Sequence, residues 1–509
     1  MLSPGRAFIR RAPRLRVRLT IPRYNSNSTA AQQNEQPAAT GAQKGGPNGL
    51  KSSGTVPWRL KELREQQGHH KQTLITHAGL STGPLSYVQH SDRVVVRCED
   101  GGATVTLDAA ALRDGCQCAA CKDPSSGQKT FASVEIPRGL GIARVRETAD
   151  GLGVSFRKDI ARFTEHETTV SWESLEVALG ARAAVDTAAI PPVFNSVRAR
   201  AGITLWDRAT IAERVRGVDY AEFIAGGDAL WKVVLDLVRL GLVYLTDVPR
   251  DEDSVVRIAT RIANIRETFY GRTFDVRAKP NAENVAYTTG YLGLHQDLLY
   301  LAPPPKIQIL HCLDNSCAGG ESLFSDGERA ARLLLHAHPT LAAPLRHHPV
   351  PYAYTRNGYS YAQQRPLLHY DRDGRFENVF WSPPFQGARA ADEPPLRPWL
   401  AGARVFESLI NGDAAMYQKK MRPGECVLFD NLRVMHGRTA FDAGGGGSRW
   451  LRGAYLAQED FVSVATQIPE ELLARDRAGE GVWYDGYEDK IRANEAWTAE
   501  AQALVDKEV

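Results

Sequence analysis

GYLGLHQDLLYLAPPPKIQILHC, residues 290–312, is the stretch on which the reading of this chain turns. His295 and Asp297 stand two apart, and in an extended segment such residues point to one face. An imidazole and a carboxylate therefore converge there. A second imidazole from elsewhere would complete a 2-His-1-carboxylate facial triad, which holds non-haem Fe(II) with positions left open. Spacing alone does not single this pair out, because His-x-Asp occurs three times, at His90/Asp92, His295/Asp297 and His369/Asp371. The first lies in a polar break and the last runs into the charged turn DRDGRFEN, so both read as solvated loops. His295 and Asp297 instead have Leu292, Leu294, Leu298 and Leu299 around them, as expected of polar groups facing a covered pocket.

The companion lies 141 residues after His295, in RPGECVLFDNLRVMHGRTAF. Pro423-Gly424 make a turn, CVLFD reads as a strand, and His436 follows in a short HGR segment. Thirteen residues further, past AGGGGS, Arg449 opens the strand RWLRGAYL. Two imidazoles and a carboxylate take three sites on iron, and an arginine offers a planar fork to a carboxylate. A dicarboxylate cosubstrate such as 2-oxoglutarate would chelate iron at one end and pair with Arg449 at the other.

Outward from this constellation, 509 residues are too many for one compact core. The composition, 43% hydrophobic and 24% charged, is that of a globular protein, with no apolar run long enough to cross a bilayer. Membrane insertion is not expected. The formal charge of +3 is unevenly placed: seven arginines and no acid fall in residues 1–30. Removing those seven from 62 basic residues leaves 55 against 59 acidic ones, so the body is mildly acidic and nucleic acid is not an expected partner. The Arg-rich, acid-free start, followed by Ser, Asn and Thr, has the composition of a mitochondrial transit segment, with a disordered basic tail and a cytoplasmic protein as the alternative.

Residues 1–70 read as this segment plus a Gln/Ala/Gly/Ser-rich linker. Residues 71–185 read as a small β-rich domain, from the alternating runs LSYVQHSDRVVVRC, ATVTLDAAAL, GLGVSFR and TTVSW. So small a core calls for a staple, and LRDGCQCAACKD supplies one. Cys116, Cys118 and Cys121 place three soft ligands in six residues; one more, from Cys98 or His166, would close a tetrahedral structural zinc site. Seven clustered cysteines argue against a disulfide framework.

Residues 200–468 form the larger domain. A helix is expected from Ala229 through Leu240, stopped by Gly241; LVYLTDVP reads as a buried strand and VVRIATRIANI as a second helix. KIQILHCL, ESLFSDG, ECVLFDN and RWLRGAYLAQ then give many short strands with few helices between them, so an antiparallel sandwich or barrel is expected over a parallel sheet. The charged residues 469–509 read as one or two surface helices.

From about residue 80 to 465 the chain resembles the γ-butyrobetaine hydroxylase and trimethyllysine hydroxylase branch of the Fe(II)/2-oxoglutarate-dependent, TauD/TfdA-like dioxygenases. The resemblance implies a small zinc-binding domain before a double-stranded β-helix (jelly roll). It places Cys116, Cys118, Cys121 and His166 on the zinc pattern, and His295, Asp297 and His436 on iron. Arg449 and Leu310 fall on the 2-oxoglutarate site. Tyr270, Phe274, Tyr287 and Tyr455 match an aromatic cage for a trimethylammonium head, which cannot donate a hydrogen bond and is held by π faces. Asn284 matches a contact to the substrate carboxylate. The implied reaction uses O2 and 2-oxoglutarate, with ascorbate as reductant, to hydroxylate an unactivated C–H bond of a small quaternary ammonium acid. γ-Butyrobetaine, giving L-carnitine, is preferred; trimethyllysine or another small molecule is the alternative. A homodimer is also implied.

Three departures bear on the substrate. Phe274 stands where a tryptophan is usual, HQD replaces His-Thr-Asp, and Trp381, Ser382 and two prolines occupy the region of a second carboxylate-contacting asparagine. Two other classes share part of this pattern. A zinc hydrolase using the same triad leaves Arg449 without a role. A degenerate binding protein would have lost part of the triad or the arginine.

Overall fold

The structure is a computed structural model that describes residues 72–75, 77, 80, 83–99, 102–163, 165–179, 193–277, 289–371, 375–389, 396–442, 447–475 and 487–508. Residues 1–71, with the transit-like segment, lie outside the described residues, as do Asn284 and Tyr287.

Residues 72–179 build two antiparallel sheets. One has four strands in sequence order, Gln72–Leu74, Leu85–Gln89, Arg93–Cys98 and Thr104–Asp108; the other has Gly141–Glu147, Gly151–Arg157 and Glu167–Ser171. In Arg93–Cys98 the alternation drives Val94, Val96 and Cys98 inward onto Leu85, Ile142, Leu152 and Leu175. Cys98 is thereby a core residue, and the fourth partner of the three cysteines is His166.

The larger body, mostly β with helices, is organised by a six-stranded sheet. Its spatial order is Phe274–Val276, Arg449–Leu456, Ile307–Asn315, Cys426–Asp430, Leu242–Thr246 and Gly217–Asp219, antiparallel but for the last pair. The nine-residue strand Ile307–Asn315 shows why this sheet is buried on both faces. Ile307 and Ile309 meet the helices Asp228–Arg239 and Ser254–Ile262, while Gln308 and Leu310 face the other way into a cleft. The first helix presents Leu230, Val233, Val234, Leu237 and Val238, an i, i+3, i+4, i+7, i+8 stripe. It ends at Gly241, whose φ of 73° takes the left-handed conformation that closes a helix without a Cβ penalty. Across the cleft a four-stranded sheet runs in the order Leu292–His295, Val434–Arg438, Ser322–Asp326 and Tyr417–Lys419.

Among the helices not evident in the sequence are Gly327–Ala337, Pro339–His347 and Leu396–Asn411. They pack with the C-terminal helix Glu495–Glu508, which is no mere surface extension. Trp497, Ala501 and Val505, one stripe at i, i+4, i+8, enter the core with Phe406 and Leu409, and Trp497 Nε1 donates to Asp207 at 2.8 Å. His369 also departs from the expected solvated loop. It lies on the strand Leu368–Tyr370, its Nδ1 3.2 Å from a Glu377 carboxylate oxygen. His90 and Asp92 do sit at a turn, with Asp92 exposed beside Arg93.

His311, next to the cleft-facing Leu310, points into the helix-covered face with neither ring nitrogen hydrogen-bonded. Burial pushes its pKa down to about 4; the charges of Arg250 and Arg257 add to this and Asp251 opposes it. The unfolded chain binds this proton near pH 6.5 and the folded chain does not, so stability is present above that value and falls as pH drops toward 4. Between pH 7 and 5 the loss from this one group is about 2 kcal/mol. Urea titrations at both pH values should show His311→Leu losing less stability on acidification than the wild type by that amount.

Candidate functional site

His295 ends the strand Leu292–His295 and lies directly opposite His436 across the ladder, with ring centroids 4.3 Å apart. Asp297 follows two residues on, its Oδ1 3.4 Å from His295 Nε2 and its Oδ2 3.9 Å from His436 Nε2. Two imidazole nitrogens and a carboxylate thus converge at one point, the donor chemistry of a divalent metal site. His295 Nδ1 sits 2.9 Å from the Gly293 carbonyl, which fixes the hydrogen on Nδ1 and leaves Nε2 a lone pair. His436 is kept neutral: burial, then the neighbouring His295, push it down to about 3 against the pull of Asp297. Burial alone would raise Asp297, but the neighbouring His295 and His436 and the Tyr455 hydroxyl outweigh it and hold the carboxyl well below the usual range. Both groups are in their ligating forms.

The loop carrying Asp297 is clamped by Asn431, which is fully buried. Its Oδ1 accepts from the Asp297 amide at 2.8 Å, and its Nδ2 donates to the carbonyls of Asp297 at 3.0 Å and Pro305 at 3.1 Å. The clamp opposes local strain, because Leu298 has a φ of 58°, a conformation that disfavours a branched side chain. Below the His436 strand, Arg433 is buried in bonds to Asp326 (2.7 Å) and to the carbonyls of Thr204 (2.6 Å) and Arg239 (2.8 Å). Gln296 faces away from the metal point, its Oε1 accepting from the Trp381 amide at 2.7 Å.

The three convergent groups line one cleft. Arg449, at the start of its strand, lines it too, with Nε 3.3 Å from the Gly320 carbonyl. Gly320 is needed there, since a Cβ would come within 3.0 Å of the Arg449 side chain. Arg438, two residues past His436 and therefore on the same strand face, also lines the cleft. Burial and then the charge of Arg449 bring its pKa down to about 10. Two buried guanidinium groups in one cleft suit an anion with more than one carboxylate. Leu310 lines it as expected, and the sequence reading missed Arg438, Gln308, Asn431 and Phe385. For Arg438 a signal existed: in the strand segment HGR, residue i+2 shares the face of His436.

Of the aromatic cage, Tyr270, Phe274 and Tyr455 line the cleft. Phe274 stacks on Tyr455 at 4.8 Å and meets Tyr270 at 6.2 Å. The Phe274 ring lies over Gly453, where any Cβ would come 2.3 Å from it. Trp381 belongs to the core, stacked on Trp399 at 6.5 Å and edge-on to Phe406 at 5.6 Å.

In the small body, His166 Nε2 lies 3.3, 3.5 and 3.2 Å from the sulfurs of Cys116, Cys118 and Cys121. Asp159 Oδ2 is 3.4 Å from His166 Nδ1 and is itself gripped by the buried Arg113 at 2.6 and 2.8 Å. Burial, then the charge of Cys116, push the Cys121 thiol up to about 12.

Residues 204–455 match the family described as "Taurine catabolism dioxygenase TauD, TfdA family", and residues 86–176 match "Gamma-butyrobetaine hydroxylase-like, N-terminal". Dioxygenase str8 of Strobilurus tenacellus is 33% identical over 68% of this chain and 81% of its own length. Gamma-butyrobetaine dioxygenase of Pseudomonas sp. (strain AK-1) is 27% identical, covering 69% and 88%. Trimethyllysine dioxygenase of Meyerozyma guilliermondii is 25% identical, covering 72% and 90%. The chain belongs to the TauD/TfdA family of dioxygenases. It is an oxidoreductase dependent on Fe(II) and 2-oxoglutarate, in the branch that contains the γ-butyrobetaine and trimethyllysine enzymes.

Asn431→Ala should release the Asp297 loop. It deletes three hydrogen bonds and leaves buried backbone groups of Asp297 and Pro305 unsatisfied, a loss of about 3 kcal/mol that urea unfolding would read.

Proposed function

We propose that His295, Asp297 and His436 hold Fe(II), that Arg449 pairs with the distal carboxylate of 2-oxoglutarate against Leu310, and that the enzyme hydroxylates a trimethylammonium carboxylic acid. γ-Butyrobetaine, giving L-carnitine, is the favoured substrate, with trimethyllysine as the second reading. The observation that carries this is one cleft holding three convergent ligands, a buried arginine and an aromatic wall. Iron with 2-oxoglutarate and O2 supplies the oxidising power: the cosubstrate leaves as succinate and CO2, and one oxygen atom enters a C–H bond.

The chain's own groups orient and shield this chemistry. Neutral His436 and ionised Asp297 offer the metal ligating atoms with no proton to displace. Arg449 provides a bidentate anchor at the far end of a five-carbon diacid. Arg438 adds a second positive charge to the anion's surroundings. Leu292, Leu310, Phe324 and Leu451 line the rest with apolar surface that excludes water. The stacked pair Phe274 and Tyr455 leaves no room for a cation between the rings, so a trimethylammonium head would rest against their edges and the face of Tyr270. Phe274 attracts a cation less than a tryptophan would.

We further assign zinc to Cys116, Cys118, Cys121 and His166. The observed sulfur–nitrogen separations approach the roughly 3.5 Å edge that Zn–S bonds of about 2.3 Å and a Zn–N bond of about 2.0 Å give a tetrahedron. Asp159 completes the arrangement by holding the outer nitrogen of His166. The two facing sheets are read as the halves of a double-stranded β-helix. Ascorbate as reductant, a homodimer and mitochondrial residence through the Arg-rich start complete the proposal.

With a panel of quaternary ammonium acids, γ-butyrobetaine should stimulate succinate release most, trimethyllysine less. A panel in which none stimulates turnover defeats the substrate assignment. Arg449→Gln should raise the KM for 2-oxoglutarate by roughly 10- to 100-fold, the worth of a charge-assisted pair. Cys121→Ser should abolish stoichiometric zinc in metal analysis and lower the melting temperature of residues 72–179 selectively, as read by hydrogen exchange.

A further inference from the structure

Asp297 is held by more than its loop. Its Oδ2 accepts two hydrogen bonds, from Gln308 Nε2 at 2.8 Å and from the Tyr455 hydroxyl at 2.7 Å. These donors come from neighbouring strands of the six-stranded sheet, where Gln308 and Tyr455 are direct cross-strand partners. Two side chains opposite each other on one sheet face reach the same atom together. Both residues are almost fully buried, at 2% and 3% exposure. The other oxygen, Oδ1, is the one nearer the His295 lone pair, at 3.4 Å.

We propose that Gln308 and Tyr455 form a two-donor hook that fixes the rotation of the Asp297 carboxylate: Oδ2, 3.9 Å from His436 Nε2, is held by both donors, and Oδ1 is left as the oxygen for the metal. This rests on the assignment of His295, Asp297 and His436 to iron. A carboxylate free to rotate binds a cation through one oxygen or through both, and a second oxygen on the metal would take a position that cosubstrate or O2 needs. With both acceptor directions of Oδ2 occupied, the one-oxygen mode is built in before the metal arrives.

A bland role for Gln308, a polar residue satisfied in a core, does not account for the observations. Its Oε1 is buried with no hydrogen-bond partner, a cost that an apolar side chain of similar volume would avoid. The amide is kept despite that cost, and its donor half is spent on Asp297. Tyr455 has two jobs: its ring forms the aromatic wall with Phe274 while its hydroxyl holds the ligand. Substrate wall and metal carboxylate therefore meet in one residue, and the two functions separate by mutation.

The experiment titrates the zinc-loaded, iron-free protein with Mn(II) anaerobically, following free Mn(II) by electron paramagnetic resonance. Gln308→Met keeps volume without the donor, and Tyr455→Phe keeps the ring without the hydroxyl. Each should weaken Mn(II) binding by roughly tenfold and the pair by roughly 100-fold, with an unchanged melting temperature of the iron-free protein. At saturating metal, Tyr455→Leu, which removes the ring as well as the hydroxyl, should raise the KM for the quaternary amine more than Tyr455→Phe does. Variants that bind Mn(II) as tightly as the wild type overturn the hook. Should one variant melt early, the other decides, since each removes its donor independently. A wild type that binds Mn(II) no better than Asp297→Ala would instead defeat the metal assignment itself.

Discussion

A carboxylate buried between two imidazoles is the constraint on which the rest of this body depends. Asp297 is held ionised against its own burial by the two imidazoles and the Tyr455 hydroxyl, with the Gln308 amide on the same oxygen and Asn431 clamping its loop. None of these partners is adjacent in sequence to the others. Bringing them to one point requires two sheets at a fixed separation, which is what the helix-backed six-stranded sheet and the four-stranded sheet provide. The strain at Leu298 belongs to the same arrangement, since the loop must turn sharply after the ligand, and Asn431 fastens it from across the cleft.

Much of this was legible because chemistry and periodicity fell within single segments. His295 and Asp297 declare themselves by a spacing of two on an apolar background, and the glycine-terminated helix Asp228–Arg239 by its stripe. The cysteines were legible from spacing, which left Cys98 and His166 both open as the fourth partner; the resemblance pointed to His166, and the fold gives the reason. Cys98 belongs to an alternating strand whose inward face is apolar, and that alternation commits it to the core. What stayed hidden are relations between segments. The hook needs the register of Ile307–Asn315 against Arg449–Leu456, which no local pattern encodes. The helices Gly327–Ala337 and Leu396–Asn411 were masked by a mixed texture of alanine, arginine and proline. The C-terminal helix looked wholly charged because three apolar residues at a spacing of four suffice to dock it.

Two of the departures read in the sequence, the glutamine of HQD and the segment around Trp381, meet in the structure. Gln296 occupies the middle of the metal motif yet never faces the metal. Its backbone amide donates to the Trp381 carbonyl at 2.9 Å and its side-chain oxygen accepts from the Trp381 amide at 2.7 Å. A threonine oxygen sits two bonds nearer the backbone and would fall short of that amide. The glutamine is thus the residue that fits the segment carrying Trp381, Ser382 and the prolines, and the indole it fastens is stacked into the core on Trp399. With that segment drawn inward, no carboxylate donor from Trp381 or Ser382 lines the cleft. On the proposed reading, a trimethylammonium head would meet the aromatic surface of Tyr270, Phe274 and Tyr455, while the acid end would be read by other groups. A substrate of the proposed class would satisfy the π wall first, with selectivity set by how far its carboxylate lies from that head.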